Sequence, residues 1–271
     1  GDGYDDLFVG SPGEGTGGAW YIYYGGLNLP SDGLADVTAD AKITGAIGDD
    51  MGDEQDPPVG DFDNDGILDM AIGAHGKGLV YILSDVTSLT GSVDAASRAA
   101  ITLDGSMGRD DFGFSLDGGD LGADGIGDLV VGAPDDLGVG QRIGADEEGQ
   151  VFLFLGSSLA QAPSGSSIPI GDADGVITGS TVADVFGHAL LVHDLDGDGD
   201  MDIVSSSWQD DTIAWYENNG AANPTWTATD IATSADGAHG VHVADIDGDG
   251  DLDLSLIHIS EPTRRYAISY A

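Results

Sequence analysis

Asp194-Leu195-Asp196-Gly197-Asp198-Gly199-Asp200-Met201-Asp202, followed at once by Ile203-Val204, is the stretch from which the fold can be read. Its pattern is D-x-D-x-D-G-x-x-D and then an apolar run. The pattern returns from Asp61 to Asp69 and from Asp245 to Asp253, and a degenerate copy runs from Asp120 to Asp128 with Gly122 at the third position. Half a copy opens the chain, where Asp2, Gly3 and Asp6 match positions 5, 6 and 9. Carboxylates at alternate positions of a tight turn point to one side, Gly at position 6 lets the backbone double back, and position 7 can offer its carbonyl. With Asp at position 9 this makes an all-oxygen cage suited to a hard cation of calcium size. Without a cation each close carboxylate pair repels by up to ~4 kcal/mol at an effective dielectric near 20. A single loop of this kind could be a solvated acidic turn; recurrence on a repeating frame points to Ca2+. An EF-hand would carry Glu at position 12 and flanking helices. Here position 12 is Ile72, Val131, Ser205 and Leu256, and short strand-like runs such as Leu129-Val130-Val131 follow each loop.

The composition bounds the function. The chain has 271 residues, 41% of them hydrophobic, enough for a substantial core. Its 45 glycines show no collagen period and fit many turns. The formal charge is −42, from 49 acids against 7 bases; four divalent cations would leave about −34, which suits a salty or calcium-rich milieu. Such a charge argues against nucleic acid or an anionic membrane as partner. There is no cysteine, which points away from a metazoan ectodomain and toward a bacterial secreted protein. No apolar run approaches the eighteen residues of a membrane span.

The loops start at 61, 120, 194 and 245, between 51 and 74 residues apart. That is the length of one four-stranded propeller blade. Units of approximately 1–40, 41–99, 100–175, 176–230 and a partial 231–253 each read as strand, acidic hairpin loop, strand, turn, strand. Ala19-Trp20-Tyr21-Ile22-Tyr23-Tyr24, Leu79-Val80-Tyr81-Ile82-Leu83 and Gln150-Val151-Phe152-Leu153-Phe154 are among the strands. No segment has a helical period. Gly13, Gly15 and Gly18 formally match the dinucleotide fingerprint, but a strand follows them, so they are read as turn glycines.

Phe112-Gly113 followed by Gly132-Ala133-Pro134 resembles the FG-GAP repeat, the blade of the integrin α-subunit propeller and of many bacterial surface proteins. Asp202 to Gly220, with Trp215-Tyr216-Glu217-Asn218, is similar to the bacterial VCBS-type variant. The resemblance implies an all-β fold, a β-propeller of four-stranded antiparallel blades whose calcium hairpins join the first two strands of each blade. Propellers of this family close with seven blades, so four loops and a half-loop imply an arc of about four, cut at both ends. By match, the metal ligands are Asp61, Asp63, Asp65 and Asp69; Asp194, Asp196, Asp198 and Asp202; and Asp245, Asp247, Asp249 and Asp253. Carbonyls of Ile67, Asp200 and Asp251 complete them. The third loop keeps Asp120, Asp124, Asp128 and the Ile126 carbonyl but lacks a side chain at Gly122. The opening half-loop offers Asp2 and Asp6. Met51-Gly52 and His239-Gly240 stand where other units carry Phe-Gly.

From Leu254 to Ala271 the pattern breaks. Leu254 to Arg264 resembles the in-frame translation of a common tagmentation sequencing adapter, and residues 254–271 are read as a non-native tail. A nucleotide record with other codons would refute this.

No G-x-S-x-G and no H-E-x-x-H occurs, and no cysteine can act as nucleophile. His239 and His242 could reach one metal, though blade packing accounts for both. Trp208, Trp215 and Trp226 could stack on sugar, or pack within blades. The expectation is a non-catalytic, calcium-stabilised, extracellular or cell-surface module for adhesion or for binding a protein or glycan ligand, with Asp135–Gly149 the longest candidate contact loop. The alternative is an accessory propeller of a larger secreted hydrolase or lyase.

Overall fold

The computed structural model describes residues 3–26, 39–52, 56–106, 111–134, 148–181, 184–247 and 252–258. The chain opens with the antiparallel strands β1 (Leu7–Ser11), β2 (Ala19–Tyr23) and β3 (Ala41–Thr44). A second sheet begins with β4 (Val59–Gly60), β5 (Asp69–Ala74) and β6 (Leu79–Leu83). The chain then crosses back, and β7 (Gly91–Asp94) pairs parallel with β3 before β8 (Ile101–Asp104) returns to β6. The third sheet repeats the device. After β9 (Ser115–Gly119), β10 (Asp128–Ala133) and β11 (Gln150–Phe154), β12 (Ser166–Pro169) pairs parallel with β8, and β13 (Gly175–Thr178) closes on β11. β14 (Phe186–His193), β15 (Asp202–Ser207), β16 (Thr212–Asn218) and β17 (Trp226–Ala232) form a four-stranded meander, and β18 (Ala238–Ala244) with β19 (Asp253–His258) forms a final pair. The result is an open run of propeller blades.

The strands that follow the 61, 120 and 194 loops are buried on both faces, which is why they read as near-continuous runs of small and apolar residues. All six residues of β5 and of β10 are buried. The core therefore lies in layers between consecutive sheets: Ile22 and Ile43 against Met70 and Ile72, Ile82 and Leu103 against Phe112 and Phe152, Val130 and Val151 against Phe186 and Leu190, and Val204 and Ile213 against Val241.

The Phe-Gly and Gly-Ala elements meet at these layers. A Cβ on Gly10, Gly73 or Gly132 would overlap the carbonyl oxygen of Gly52, Gly113 or Gly187, respectively, on the next sheet. Those second glycines hold φ of +92°, +88° and +84°, a region that side chains rarely enter. Two backbones thus touch at the first three of these contacts between consecutive sheets. Met51-Gly52 fills this place without a phenyl ring, because Met51 is itself fully buried in the layer.

The sheets are cut one strand later than the sequence units. Ala41–Thr44 and Ile101–Asp104 open the second and third units, yet they complete the preceding sheets; β13 straddles the third boundary and belongs with β11. The run after Asp253, read as the start of a non-native tail, continues as strand to His258 and pairs with β18 from Ala244↔Asp253 to Ala238↔His258. Residues 259–271 lie outside the described residues. Gly15 and Gly18 have φ of +62° and +74° in the β1–β2 turn, as read. No helix among the described residues is long and apolar enough to cross a membrane.

Candidate metal sites on the acidic hairpins

Each acidic loop connects the first two strands of its sheet: β4 to β5, β9 to β10, β14 to β15 and β18 to β19. The turn is made locally. Position 1 accepts two backbone N–H groups: Asp61 from Asp65 (3.0 Å) and Gly66 (2.9 Å), Asp120 from Asp124 and Gly125 (both 2.9 Å), and Asp194 from Gly197 (2.8 Å) and Gly199 (3.0 Å). Positions 4 and 6 are left-handed in all three, with φ from +50° at Ala123 to +99° at Gly199. Asn64 and Gly197 tolerate this at position 4; Ala123 does so at a cost.

The turn brings Asp61, Asp63 and Asp65 together, so that one oxygen of each lies within 4.8 Å of the others; Asp194, Asp196 and Asp198 converge likewise, as do Asp245, Asp247 and Asp253. Asp249 and Asp251 lie outside the described residues, as does Asp2. The loop at 120 forms no such group among the described residues, as its missing side chain at Gly122 implies. Asp63 carries the most direct sign of a missing partner. Its Oδ2 accepts from Ser84 Oγ at 2.8 Å, while its Oδ1 is buried with no hydrogen-bond partner. A bare buried carboxylate oxygen is costly, and a hard cation is the partner this donor set fits. Ile67, Ile126 and Asp200, whose carbonyls were expected as ligands, occupy the seventh position of their turns.

Position 9 does something the spacing did not reveal. Asp69, Asp128 and Asp202 are buried, and each ties its loop to the end of the sheet's third strand. Asp69 accepts from Phe62 (3.0 Å), Asp63 (3.2 Å) and, beyond β6, Asp85 (3.1 Å). Asp128 accepts from Gly122 (2.8 Å) and, beyond β11, Gly156 (2.7 Å). Asp202 accepts from Leu195 (3.2 Å) and Asn218 (2.9 Å). In the half-loop Asp6 makes the matching bond to Gly25, beyond β2, at 2.7 Å. In the 61 and 194 loops the position 9 carboxylate is not one of the converging three, though it neighbours the Asp at position 3; in the 245 loop, where Asp249 lies outside the described residues, it is one of them. Burial, then the charge of Asp63, pushes the Asp69 carboxyl up to about 6. Burial, outweighing backbone N–H bonds from Gly156, Gly122 and Leu121, does the same at Asp128, also to about 6. Asn218, the last residue of the Trp-Tyr-Glu-Asn string, adds a bridge between loops. Its Nδ2 donates to Leu121 of the 120 loop and to Met201 of the 194 loop, both at 2.9 Å.

Residues 194–255 match the family model described as FG-GAP-like repeat. That stretch is an FG-GAP-like repeat. Phosphatidylinositol-glycan-specific phospholipase D of Dictyostelium discoideum is 30% identical over 237 residues, which is 79% of this chain and 24% of that protein. The rat protein of the same name is 33% identical over 54% of this chain and 17% of its own length. Integrin alpha-PS2 of Drosophila melanogaster is 30% identical over 60% of this chain and 12% of its own. The chain thus spans about a quarter of the first relative and less of the others.

The other residues weighed for function fall elsewhere. His239 meets His188 edge-on (centroids 4.8 Å apart) and Trp208 at a tilt (5.2 Å), and His188 also meets Phe114 at 4.9 Å. That ring cluster spans three sheets, so His239 is a packing residue and forms no metal group with His242 among the described residues. Trp226 packs beside Tyr216 in the layer between the third and fourth sheets. Residues 135–147, most of the expected contact loop, lie outside the described residues.

Proposed function

We propose that this chain is a calcium-binding extracellular β-propeller module that engages a protein or glycan ligand in adhesion and performs no catalysis of its own. The observation that carries the metal reading is the convergence of Asp61, Asp63 and Asp65 around a buried carboxylate oxygen without a partner. Calcium there would link the turn to Asp63, which Ser84 already ties to the end of β6. The exposure of Asp65 and Asp198 suits the weak, roughly 10⁻⁴–10⁻³ M sites of extracellular modules. At a tenfold excess over Kd each site adds about 1.4 kcal/mol.

A second reading is favoured by the relatives. The longest of the reported matches is to a protein named as a phospholipase D, of which this chain is about a quarter. On that reading the propeller is an accessory domain and the chemistry resides elsewhere in a larger secreted enzyme; a reading frame encoding a catalytic domain beside the repeats favours it.

The metal reading is tested by thermal melts in calcium, in chelator and in magnesium. The midpoint is expected to rise with calcium and not with magnesium. A melt indifferent to calcium would reduce the loops to solvated acidic turns.

A further inference from the structure

Beside the first acidic loop lies a cavity of about 410 Å³ that the calcium reading leaves unused. Asp63 forms part of its wall, and Arg98, Ser97 and Ser164 line it with Ala162 and Ile101. The volume falls within the ~300–1,000 Å³ of small-molecule sites. Arg98 is the unusual member. In a chain of 49 acids and 7 bases, Lys42 pairs with Glu14 and Lys77 with Asp49. Arg98 has no ion-pair partner among the described residues; its guanidinium donates through Nη2 to the Ser84 carbonyl at 2.6 Å. A guanidinium has five donors in a fixed fork that matches an oxyanion; the bond to Ser84 engages one of them, and the nearby Asp85 carboxylate feels its charge without an ion-pair contact.

We propose that this cavity binds an oxyanion, the carboxylate or sulfate group of a sugar-sized acid, and that it does so in concert with calcium on the neighbouring loop. The inference rests on the calcium reading above. Arg98 receives the anion, the Ser164 hydroxyl offers a further donor, the Ser97 hydroxyl being engaged by Asp94, and Ala162 with Ile101 gives the apolar wall that the C–H face of a sugar requires. Asp63 is shared between loop and cavity. While its charge is uncompensated it repels an anion; a divalent cation on the loop reverses the local sign. Coupling of this kind is reciprocal, so the anion must tighten calcium at this loop and leave the 194 loop unaffected.

The test follows calcium titrations through the backbone amide signals of Gly66 and Gly199, the sixth residues of the two loops. Sodium sulfate and sodium glucuronate are the probes, with sodium chloride at matched ionic strength as reference. One probe is expected to lower the calcium midpoint at Gly66 about fivefold, with Gly199 unmoved, and the probe that does so identifies the group recognised. Arg98→Gln is expected to abolish the shift, and Arg98→Lys, which keeps the charge without the fork, to leave part of it. Equal effects at both glycines, no effect of either probe, or coupling that survives Arg98→Gln would overturn the proposal while the calcium sites stand. Failure of calcium to move either glycine would overturn the calcium reading and this inference together.

Discussion

Replacing Asp69 with Ala separates the scaffold of the acidic hairpin from its metal chemistry. The side chain is fully buried and accepts three backbone N–H groups, from Phe62, Asp63 and Asp85, at 3.0–3.2 Å. A hydrogen bond to a charged group is worth roughly 1.5–3 kcal/mol. Burial lifts the carboxyl to about 6, so part of that gain is spent on desolvation, and about 1 kcal/mol per bond is the better figure. Asp69→Ala should therefore cost about 3–4 kcal/mol, or roughly 10 °C in midpoint at ~2–4 °C per kcal/mol, in chelator as well as in calcium. Asp63→Asn is the contrast. It keeps an acceptor for Ser84 and removes the charge nearest Asp69, so in chelator it should melt within about 2 °C of the parent. In calcium it should lose the increment of one site, about 1.4 kcal/mol at tenfold excess. Melts of the three proteins in both buffers decide the matter. If Asp69→Ala melts with the parent in chelator, or if Asp63→Asn falls as far as Asp69→Ala, the division between clamp and ligand is wrong.

Gly132→Ala should destabilise by about 2 kcal/mol or more, because its Cβ would overlap the Gly187 carbonyl on the next sheet; Gly125→Ala, strained at φ +84° but open on all sides, should cost only about 1 kcal/mol by denaturant titration. Ala123→Gly should stabilise by about 1 kcal/mol, since it relieves an exposed left-handed alanine at φ +50°; an unchanged denaturation midpoint would count against the turn geometry. Burial, then the neighbouring His239, lowers the His188 imidazole to about 4. A folded value below the unfolded one means stability that is whole above about pH 6.5 and drains away as the pH falls toward 4. Asp69 and Asp128, raised to about 6, act with the opposite sign, so the readout is a difference: between pH 7 and 4.5, His188→Gln should lose less stability than the parent, and parallel profiles would refute the assignment.

Much of this molecule was legible because its loops are self-contained. The D-x-D-x-D-G-x-x-D turn makes its bonds within seven residues, and the apolar runs that follow it are strands whatever they pack against. What the sequence hid depends on neighbours. Gly91–Asp94 and Ser166–Pro169 carry no apolar pattern, and they become strands only because the edges of β3 and β8 are there to pair with. Position 9 looked like one more carboxylate in a row of four, since spacing records neither burial nor the strand end that donates to it. His188 and His239 are far apart in the chain and meet only when the inner strands stack. The Phe-Gly and Gly-Ala pairs were readable as marks of a repeat, but their reason, two backbones in contact, appears only between sheets.

The parallel pairings of β7 with β3 and β12 with β8 have a mechanical consequence. In the second and third blades the segment between the third and fourth strands is a strand of the blade before, so none of the first three sheets can be excised at its own boundary without unpicking a neighbour. A pull that separates the second and third sheets along the strand direction loads the β8–β12 ladder in shear, with its bonds strained together instead of peeled one by one. The first three blades should therefore yield to stretching as one unit, whereas β18 and β19, which share no ladder with an earlier sheet, should part before them.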